Sequence, residues 1–305
     1  MYILKVMEPH APAQRQTQSF LRDLIQAQGL KPKNKLGQNF LIDLNLIDFI
    51  VRHAELTRDD LVLEVGTGTG SLTAKLADGA GAVLSVEIDP AFHQLAQQTL
   101  GPRPNVVLFH GDILKNKNHL NPDVLAQLES LRQEFHAKRV KLIANLPYAV
   151  ATPLISNLLL SELPIERMVV TVQWEIAAKL AARPGTNDFG GLSVLVQSLA
   201  KVEIRRRLPP AVFWPRPQVA SAIVRIWPRP AKRAQIGDVQ GFREFLRDLY
   251  THRRKNLRGG LLSMPGTTHE KPAIDAKLAE LGIDGGVRAE TLSLEDHRRL
   301  WEAFA

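Results

Sequence analysis

Residues 61–70 read L-V-L-E-V-G-T-G-T-G, and this stretch decides the fold class. Leu61–Val65 is a short apolar run that is typical of a buried strand, and Ser71–Ala77, just after the glycines, suits a helix. Glycines between a strand and a helix allow a tight turn and let the backbone approach a ligand closely. The stretch therefore predicts a strand, a ligand-binding loop and a helix, in that order.

The spacing of these glycines indicates the kind of ligand. A dinucleotide-binding loop reads G-x-G-x-x-G or G-x-G-x-x-A, but the sixth position counted from Gly66 is Ser71. The loop reads G-x-G-x-G instead, with Gly68 and Gly70 next and Glu64 before it, which is the pattern of domains that bind S-adenosylmethionine. That ligand has no pyrophosphate, so the loop needs no helix terminus that cradles a phosphate.

Strands and helices alternate along the chain. A helix over Asp43–Ala54 precedes the first strand. Further strands are predicted over Ala82–Glu87, Val106–Phe109, Val140–Ala144 and Met168–Val172, and Leu192–Ile204 and Val219–Trp227 complete the sheet. The intervening helices are predicted over Ala91–Leu100, Pro122–His136 and Pro153–Leu160. This alternation predicts an α/β fold with a Rossmann-like, mostly parallel sheet covered by helices on both faces.

Composition divides the chain into three predicted parts. Residues 1–30 form an N-terminal extension with a short helix over Phe20–Gln28, and residues 31–230 form the sheet domain. Past the proline-rich residues 228–230 the pattern becomes helical and charged, so residues 231–305 form a small helical C-terminal domain. The helices of that domain are predicted over Phe242–Leu257, Ile274–Leu281 and Leu294–Phe304.

The bulk composition limits the classes of function. A formal net charge of +8 over 305 residues favours a polyanionic partner, most often nucleic acid. The chain has no cysteine, which excludes disulfides and thiolate metal sites, and its histidines show no metal-binding spacing, so we expect no metal. No apolar run approaches the roughly 20 residues that span a membrane, and no secretory signal is expected. We therefore expect a cytoplasmic protein, and we take a monomer as the default oligomeric state.

Acidic residues stand at the ends of two predicted strands. Glu87 ends the second strand, and its two carboxylate oxygens can accept hydrogen bonds from both hydroxyls of a ribose. Asp112 follows the third strand and can accept a hydrogen bond from the exocyclic amine of an adenine. Each acid alone could be a solvated loop carboxylate. Together with the glycine loop they predict a nucleotide-like cofactor at the carboxyl ends of the strands.

The stretch A-N-L-P-Y-A-V at 144–150 follows the fourth strand and faces the same edge. An adenine amine is a poor nucleophile because its lone pair delocalises into the ring. The side-chain oxygen of Asn145 and the backbone carbonyl of Leu146 or Pro147 can accept its two hydrogens, and Tyr148 offers a face for stacking. A plain turn with a half-buried tyrosine is the alternative, and DNA adenine and protein-glutamine methyltransferases carry similar tetrapeptides.

The motifs together resemble one family, the KsgA-type rRNA adenine N6,N6-dimethyltransferases, which modify small-subunit (16S) rRNA. The resemblance runs from about Lys31 to Leu300. Its motifs are L-G-Q-N-F-L at 36–41, E-V-G-T-G-T-G at 64–70, G-D at 111–112, N-L-P-Y with T-P-L at 145–154, F-W-P-R-P-Q-V at 213–219 with S-A at 221–222, R-R-K-N-L-R at 253–258 and R-A-E-T-L-S at 288–293. It implies a class I S-adenosylmethionine-dependent methyltransferase sheet with a small helical C-terminal domain.

The resemblance also implies a role for each matched residue. The implied cofactor-binding set is Gln38, Asn39, Leu41, Gly66, Gly68, Glu87, Ile88, Asp112, Ile113 and Asn145. The implied catalytic set is Asn145, Leu146, Pro147, Tyr148 and Phe213, with Tyr148 and Phe213 on the two faces of the target adenine. The reaction implied is dimethylation of N6 on two adjacent adenines in a hairpin loop near the 3′ end of the rRNA, with the small ribosomal subunit as partner.

Two basic runs are predicted to contact RNA phosphates. They comprise Arg205, Arg206 and Arg207, and Arg253, Arg254, Lys255 and Arg258. On a helix, Arg254 and Arg258 would lie one turn apart on the same face. The alternative interpretation is that each run of charged residues is simply a solvent-exposed surface. Beside a pocket for a base we interpret these runs as phosphate contacts, which position RNA without reading its sequence and make binding steeply dependent on salt.

Departures from the family pattern and alternative functions stay open. The departures are Ala149, where Asn is usual, Trp174, where Gln or Lys is usual, and Ala220, Gly191 and Thr67.

One alternative is a large-subunit rRNA methyltransferase of the macrolide-resistance type, against which Leu146 and the run R-R-K-N-L-R argue. Another is a ribosome-assembly or transcription factor in which catalysis is incidental, against which Asn145, Glu87 and the intact glycine loop argue.

Overall fold

The structure is a computed structural model that describes residue 23, residues 25–33 and residues 36–304. Most of the extension predicted over residues 1–30, and most of its helix over Phe20–Gln28, therefore lies outside the described residues. The described part of that helix is helical up to Ala27.

The strands of the described residues are numbered in chain order. They are β1 (Phe40–Leu41), β2 (Asp60–Val65), β3 (Ala82–Glu87), β4 (Val106–His110), β5 (Leu114–Asn116), β6 (His119–Leu120), β7 (Arg139–Asn145), β8 (Ile165–Gln173), β9 (Ala200–Leu208), β10 (Phe213–Trp214) and β11 (Ser221–Pro228). Seven of them form one sheet in the order β4-β3-β2-β7-β8-β11-β9. The first five of these run parallel, and β11 runs antiparallel to both of its neighbours.

The helices connect and cover these strands. They are α1 (Leu44–Ala54), α2 (Ser71–Gly79), α3 (Pro90–Leu100), α4 (Pro122–Glu134), α5 (Tyr148–Leu160), α6 (Trp174–Leu180), α7 (Gly191–Leu199), α8 (Pro230–Ile236), α9 (Val239–Thr251), α10 (Leu257–Leu262), α11 (Lys271–Glu280) and α12 (Leu294–Phe304). Two 3₁₀ turns cover Pro210–Val212 and Ala289–Thr291. No helix in the described ranges is long and apolar enough to cross a bilayer.

Helices cover both faces of the sheet, as predicted. On one face α1 and α2 bury their apolar residues against a layer that contains Val62 and Ile143. On the other face α4, α5 and α7 pack on a layer that contains Leu61 and Leu142, and the apolar faces of α9, α11 and α12 join the same core. The predicted α/β fold with helices at the C-terminal end is therefore confirmed.

The segment Leu192–Ile204 was predicted as one strand of the sheet, and this prediction is wrong. Residues up to Leu199 form α7, and the strand β9 begins only at Ala200. A continuous apolar run cannot be assigned to strand or helix from periodicity alone. Here Ser193 decides the outcome, because its hydroxyl accepts the Gly190 N–H at 3.1 Å and donates to the Lys179 carbonyl at 2.6 Å.

The prediction of a single helix over Phe242–Leu257 is also wrong. The segment forms two helices, α9 and α10, and the basic residues Arg253–Lys255 lie in the turn between them. Asn256 starts the second helix, because its side chain accepts the N–H of Gly259 at 2.9 Å. Asparagine favours such a capping position over a helix interior, which explains the break.

A small two-stranded sheet lies beside the main one. In it β1 pairs antiparallel with β10, and Phe40 stands opposite Trp214 and Leu41 opposite Phe213. The pairing joins the segment that carries L-G-Q-N-F-L to the loop that carries F-W-P-R-P. Two motifs that lie far apart in the chain are thereby held side by side at the carboxyl edge of the sheet.

A buried histidine makes the stability of the C-terminal helices dependent on pH. His297 is fully buried, its Nδ1–H donates to the Ser293 carbonyl at 2.7 Å, and its Nε2 accepts from the Tyr250 hydroxyl at 3.0 Å. Burial lowers the pKa of His297 below its usual 6.5, although Asp296 acts in the opposite direction. The unfolded chain therefore binds a proton first as the pH falls, and the free energy of unfolding decreases below pH 6.5.

We expect the free energy of unfolding by urea to decrease as the pH falls through 6.5, the pKa of the unfolded-state histidine, and this decrease to depend on His297. The variant His297→Gln removes the group that titrates, so its unfolding free energy should vary less with pH than that of the parent chain. The exposed His119 provides the matched control His119→Gln, which should keep the parent's dependence. Equal pH slopes in all three proteins would contradict the assignment.

Candidate active site

A cavity of about 230 Å³ opens at the carboxyl ends of β2, β3, β4 and β7. In the main sheet β2 lies between β3 and β7, so the strand order reverses here, which is where open α/β sheets bind ligands. The predicted site residues in its lining are Gln38, Asn39, Gly66, Gly68, Glu87, Ile88, Asp112, Ile113, Asn145 and Pro147. The structure thus brings together most of the predicted cofactor set.

The glycine loop packs against the N-L-P-Y stretch. Gly66 and Gly68 have positive φ angles of 87° and 56°. A Cβ atom on Gly66 would meet the ring of Pro147 at 3.3 Å, and one on Gly37 would meet the Tyr148 nitrogen at 3.2 Å. Only glycine adopts these backbone angles without strain and leaves room for the proline ring. Pro147 is therefore held between two glycine-containing segments.

Glu87 lies at the end of β3 and is nearly buried. Its Oε2 accepts the Gly68 N–H at 3.0 Å, and its Oε1 accepts the Asp89 N–H at 2.9 Å. Burial raises the pKa of Glu87 above its usual value, and these two backbone donors act against the rise. A carboxylate offers about four lone-pair positions, so each oxygen keeps one for a ligand.

Asp89 is a site residue that the sequence did not reveal. It is 1% exposed, and its Oδ2 accepts from Gln38 Nε2 and pairs with Lys33 Nζ, both at 3.0 Å. Its Oδ1 accepts the Ala91 N–H at 3.1 Å and so caps α3. Burial alone would raise the pKa of Asp89, but the bonds from Lys33 and Gln38 prevail and lower it. Asp89 therefore fixes the segment before β1 over the cavity.

The loop after β4 forms the far side of the cavity. Asp112 Oδ1 accepts the Leu114 N–H at 2.9 Å, and its Oδ2 has no hydrogen-bond partner among the described residues. Ile88, 43% exposed, and Ile113, 3% exposed, lie in the same lining. An unpartnered carboxylate oxygen in the same lining as two aliphatic side chains is suited to the edge of a flat, amine-bearing ring.

Asn145 ends β7 with its amide oriented by a hydrogen bond. Its Nδ2 donates to the Asn39 carbonyl at 2.8 Å, and its Oδ1 accepts no hydrogen bond from the described part of the chain. The Leu146 N–H donates to the Thr171 carbonyl at 3.2 Å, and the Pro147 carbonyl accepts the Val150 N–H at 3.1 Å. The Leu146 carbonyl, by contrast, has no partner among the described residues. Of the two backbone acceptors that the sequence left open, Leu146 is the free one.

Tyr148 and Phe213 lie outside the lining of this cavity. Tyr148 begins α5, upstream of the predicted start at Pro153, and its hydroxyl shares a 2.8 Å hydrogen bond with Ser221 Oγ. Burial raises the pKa of Tyr148. Phe213 is 2% exposed and packs in the core under α1, opposite Leu41 in the small sheet. The structure therefore does not place the two rings as an open pair.

Leu41 and Glu64 border a second, smaller cavity of about 40 Å³ behind the glycine loop. Glu64 is buried, and its Oε2 accepts from the hydroxyls of Thr73 at 2.5 Å and Ser85 at 2.6 Å. Burial raises the pKa of Glu64 to about 8, so its carboxyl is largely protonated at neutral pH. Its hydrogen bonds hold the start of α2 to β3 and set the base of the loop.

The predicted RNA-binding residues do not form one surface. In β9, Arg205 pairs with Glu203 at 2.9 Å, Arg206 lies over the Phe49 ring at 5.5 Å, and Arg207 lies over the Trp174 ring at 4.4 Å. These three side chains are exposed, but they have different neighbours.

The second basic run is partly used by the fold. Arg253 donates to the Asn187 carbonyl at 2.8 Å, Lys255 donates to Ser263 at 2.6 Å, and Arg258 pairs with Asp275. Arg254 makes no hydrogen bond or ion pair with the described residues. Because the helix breaks before Asn256, Arg254 and Arg258 do not lie one turn apart on a common helix as predicted.

No group of three or more histidine, aspartate or glutamate side chains in the described ranges is arranged to hold a metal ion. The residues that line the cavity offer hydrogen-bond acceptors and a glycine-lined floor.

Comparison with known proteins gives a family match along most of the chain. The model of the family described as ribosomal RNA adenine dimethylase matches residues 29–305. A protein called ribosomal RNA small subunit methyltransferase A from Bacillus mycoides (strain KBAB4) is 37% identical over 285 residues, which cover 93% of this chain and 94% of that protein. A protein of the same name from Bacillus cereus (strain AH187) matches with the same identity and coverage.

Solved structures show the same fold. A dimethyladenosine transferase from Plasmodium falciparum superposes with a TM-score of 0.68 at 22% identity, covering 85% of this chain and 94% of that one. The 23S rRNA methyltransferase ErmE superposes with a TM-score of 0.61 at 27% identity, covering 87% of this chain and 99% of that one. Both confirm the methyltransferase-like sheet.

Proposed function

Because the chain belongs to the ribosomal RNA adenine dimethylase family, we propose that it dimethylates N6 of two adjacent adenines in a hairpin loop near the 3′ end of small-subunit (16S) rRNA. The observation that carries the proposal is a pair of free acceptors, Asn145 Oδ1 in the cavity lining and the carbonyl of Leu146, the next residue in the chain. Relatives that are 37% identical are named for the small subunit, which favours that substrate.

The cavity fits S-adenosylmethionine as the methyl donor. Glu87 keeps one lone pair on each oxygen for the two ribose hydroxyls, and Asp112 Oδ2 is free for the adenine amine. Ile88 and Ile113 would flank that adenine, and Gly66 leaves room for the methionine part. When bound, the cofactor supplies an electrophilic methyl on a sulfonium that is a good leaving group.

The residues of the chain position and polarise the target amine, and no strong general base is needed to deprotonate it. The two hydrogens of an N6 amine would be accepted by Asn145 Oδ1 and by the Leu146 carbonyl, which draws the nitrogen toward tetrahedral geometry and frees its lone pair. The bond from Asn145 Nδ2 to the Asn39 carbonyl prevents the amide from turning over. Positioning and electrostatic support therefore supply most of the catalysis.

Tyr148 supplies one face for the target base. Its hydroxyl is fixed by Ser221, so the ring is held without a further loss of side-chain freedom on binding. A base inside a helical stack cannot reach this position, so the adenine must be looped or flipped out. Phe213 could cover the second face only after the loop beyond β10 shifts, because its ring is buried in the free chain.

The partner is small-subunit rRNA, and binding draws on the net charge of +8. We propose that residues 31–230 act as the sheet domain, with residues 231–305 as a helical domain that contacts the rRNA helix. In this reading the chain acts as a monomer without a metal. Exposed cations such as Arg207 and Arg254, which have no carboxylate partner in the described ranges, are the best placed for RNA contacts.

The proposal is tested by mapping methylation. The protein is incubated with labelled S-adenosylmethionine and with small subunits whose rRNA lacks adenine dimethylation, and in parallel with large subunits. We expect label on two adjacent adenines of the small-subunit rRNA. Label confined to the large subunit would favour methylation of 23S rRNA, the activity in the name of ErmE. Binding without any label would favour an assembly factor.

The anchor of the segment before β1 provides a separate prediction. Asp89→Asn keeps the cap of α3, because asparagine caps as well as aspartate, but it loses the charge that pairs with Lys33. Lys33 is half exposed, so most of the effect should come from the bond to Gln38. We expect the Kd for S-adenosylmethionine to rise about 10-fold by calorimetry with little change in thermal stability.

The matched control for this prediction is Asp43→Asn. Asp43 also caps a helix, since its side chain accepts the Asn45 N–H at 2.9 Å, but no hydrogen bond or ion pair joins that side chain to the described residues of the segment before β1. It should leave the cofactor Kd unchanged. An unchanged Kd in Asp89→Asn as well would show that the segment does not depend on this anchor.

A further inference from the structure

Phe40 borders the cofactor cavity, but the proposed chemistry does not use it. Its half-buried side chain lines both the main cavity and the smaller cavity behind the glycine loop. In β1 it follows Asn39, whose carbonyl accepts the amide of Asn145, and it stands opposite Trp214 of β10. The ring of Phe40 therefore lies where the segment before β1 meets the glycine loop.

The Phe40 ring packs against the main chain of the glycine loop. A Cβ atom placed on Gly68 would meet Cδ1 and Cε1 of the Phe40 ring, each at 3.0 Å. The φ angle of Gly68 is 56°, so its backbone lies in the left-handed region that glycine adopts without strain. Because glycine has no side chain, the edge of the ring lies against the backbone itself and limits how far the loop can move.

Gly68 is also one of the two residues that orient Glu87. The Gly68 N–H donates to Glu87 Oε2 at 3.0 Å, and the Asp89 N–H donates to Oε1 at 2.9 Å. These two bonds fix the carboxylate so that each oxygen keeps a lone pair for a ribose hydroxyl. A displacement of Gly68 would therefore release one of the two oxygens that are proposed to meet the ribose.

A small apolar cluster supports the other side of the Phe40 ring. The centroid of the Phe92 ring, in α3, lies 4.8 Å from that of Phe40, with 34° between the ring planes. Phe92 is buried together with Leu95 and Ile25, and Phe40 packs against this cluster. Ile25 is fully buried, although it precedes the segment that the family model matches. The described part of the N-terminal helix thus contributes to the support of the ring.

We propose that Phe40 is a positioning residue for S-adenosylmethionine, which holds Gly68 so that Gly68 in turn holds the carboxylate of Glu87. The buried cluster that contains Ile25 keeps the ring in place. The inference rests on the proposed function, because it takes Glu87 to bind the ribose. A binding group that is already held in its bound geometry loses less freedom when the ligand arrives, which raises affinity.

The test is calorimetric titration with S-adenosylmethionine in the absence of RNA. Phe40→Leu keeps an apolar side chain in the small sheet but removes the ring from Gly68, and we expect the Kd to rise about 3- to 10-fold. Phe40→Tyr keeps the ring and should restore the parent affinity. In the Glu87→Gln background, Phe40→Leu should change the Kd by less than about 2-fold, because the two residues act as one unit.

Phe49→Leu is the matched control. Phe49 is also half-buried and lies against another ring, that of His53, with 4.0 Å between the centroids. It belongs to α1 and lines neither of the two cavities, so its replacement should leave the Kd for the cofactor unchanged. Circular dichroism on each variant checks that the chain is folded.

Ile25→Ala tests the support of the ring from outside both cavity linings. It shortens a buried side chain of the cluster against which Phe40 packs. We expect the Kd for the cofactor to rise about 2- to 5-fold, because the change acts only through the ring and the loop.

An unchanged Kd in Phe40→Leu would overturn the inference, since the ring would then not hold the loop. Additive losses in the double variant would overturn it as well, because Phe40 would then act independently of Glu87. The titration needs neither RNA nor methyl transfer, so it is independent of the methylation map. Absence of methylation together with the expected coupling would refute the proposed reaction but keep the positioning role of Phe40.

Discussion

Asn145→Ala should lower the rate of methyl transfer by about 100- to 1,000-fold while changing RNA affinity less than about 3-fold. The variant removes the acceptor Asn145 Oδ1, which belongs to the cavity lining, and leaves only the Leu146 carbonyl to accept from the amine. The nitrogen then keeps its lone pair delocalised, and the target base loses a bond that fixes its position. The measurement is a single-turnover rate with saturating cofactor and unmethylated small subunits, beside a filter-binding Kd.

A second change at the same position separates the two functions of the amide. Asn145→Asp keeps an acceptor for the target but replaces the Nδ2 donor, so a carboxylate oxygen faces the Asn39 carbonyl. We expect a smaller loss of rate together with weaker cofactor binding, because the segment before β1 is repelled. Asn187→Ala is the control and should keep the parent rate, because Asn187 is exposed and is not one of the residues that line the cavity. Full activity of Asn145→Ala would refute the assigned role.

Glu87→Gln should raise the Kd for S-adenosylmethionine about 10- to 100-fold and leave RNA binding unaffected. The carboxylate holds two backbone N–H groups with one lone pair to spare on each oxygen. An amide at this position must turn its NH₂ toward Gly68 or Asp89, where it meets another donor, and it has only one oxygen left for the ribose hydroxyls. Isothermal titration calorimetry with the cofactor measures the change directly.

The same residue gives cofactor binding a dependence on pH. Because burial raises the pKa of Glu87, protonation removes an acceptor at a higher pH than it would for an exposed glutamate. Affinity for the cofactor should therefore fall as the pH decreases. The affinity of the Glu87→Gln variant should stay constant across the same pH range. A parent affinity that does not change with pH, or a variant that binds as tightly as the parent, would contradict this account.

The sequence predicted those parts of the site that depend on strand ends. Glu87, Asp112 and Asn145 each follow an apolar strand, and parallel strands bring their carboxyl ends to one edge. The glycine loop was predictable because its spacing is short and its geometry is local. These residues were found without knowledge of distant contacts.

The sequence could not predict features that depend on pairs distant in the chain. From the sequence, Asp89 is expected only to cap a helix. Its second function, the anchoring of the segment before β1, depends on the hydrogen bond from Gln38, 51 positions away. Phe213 was predicted as an open stacking ring, but pairing with β1 draws it into the core. The basic run at 253–258 was predicted to lie in one helix, but in the structure Asn256 caps the start of a new helix. In the first two cases tertiary contacts decided the outcome, whereas at 253–258 it was the local cap that the Asn256 side chain makes with the Gly259 N–H.

The pairing of β1 with β10 has a consequence for how the two ligands influence each other. Residues 36–40 line the cavity proposed for the cofactor, residues 213–214 belong to the segment proposed to meet the target base, and the pairing of β1 with β10 joins the two segments. Ordering of either segment by its own ligand thus lowers the entropic cost of ordering the other. Thermodynamic reciprocity then requires cofactor and RNA to raise each other's affinity by one common factor. This cooperativity resides in the main chain, so side-chain changes that preserve the pairing preserve it as well.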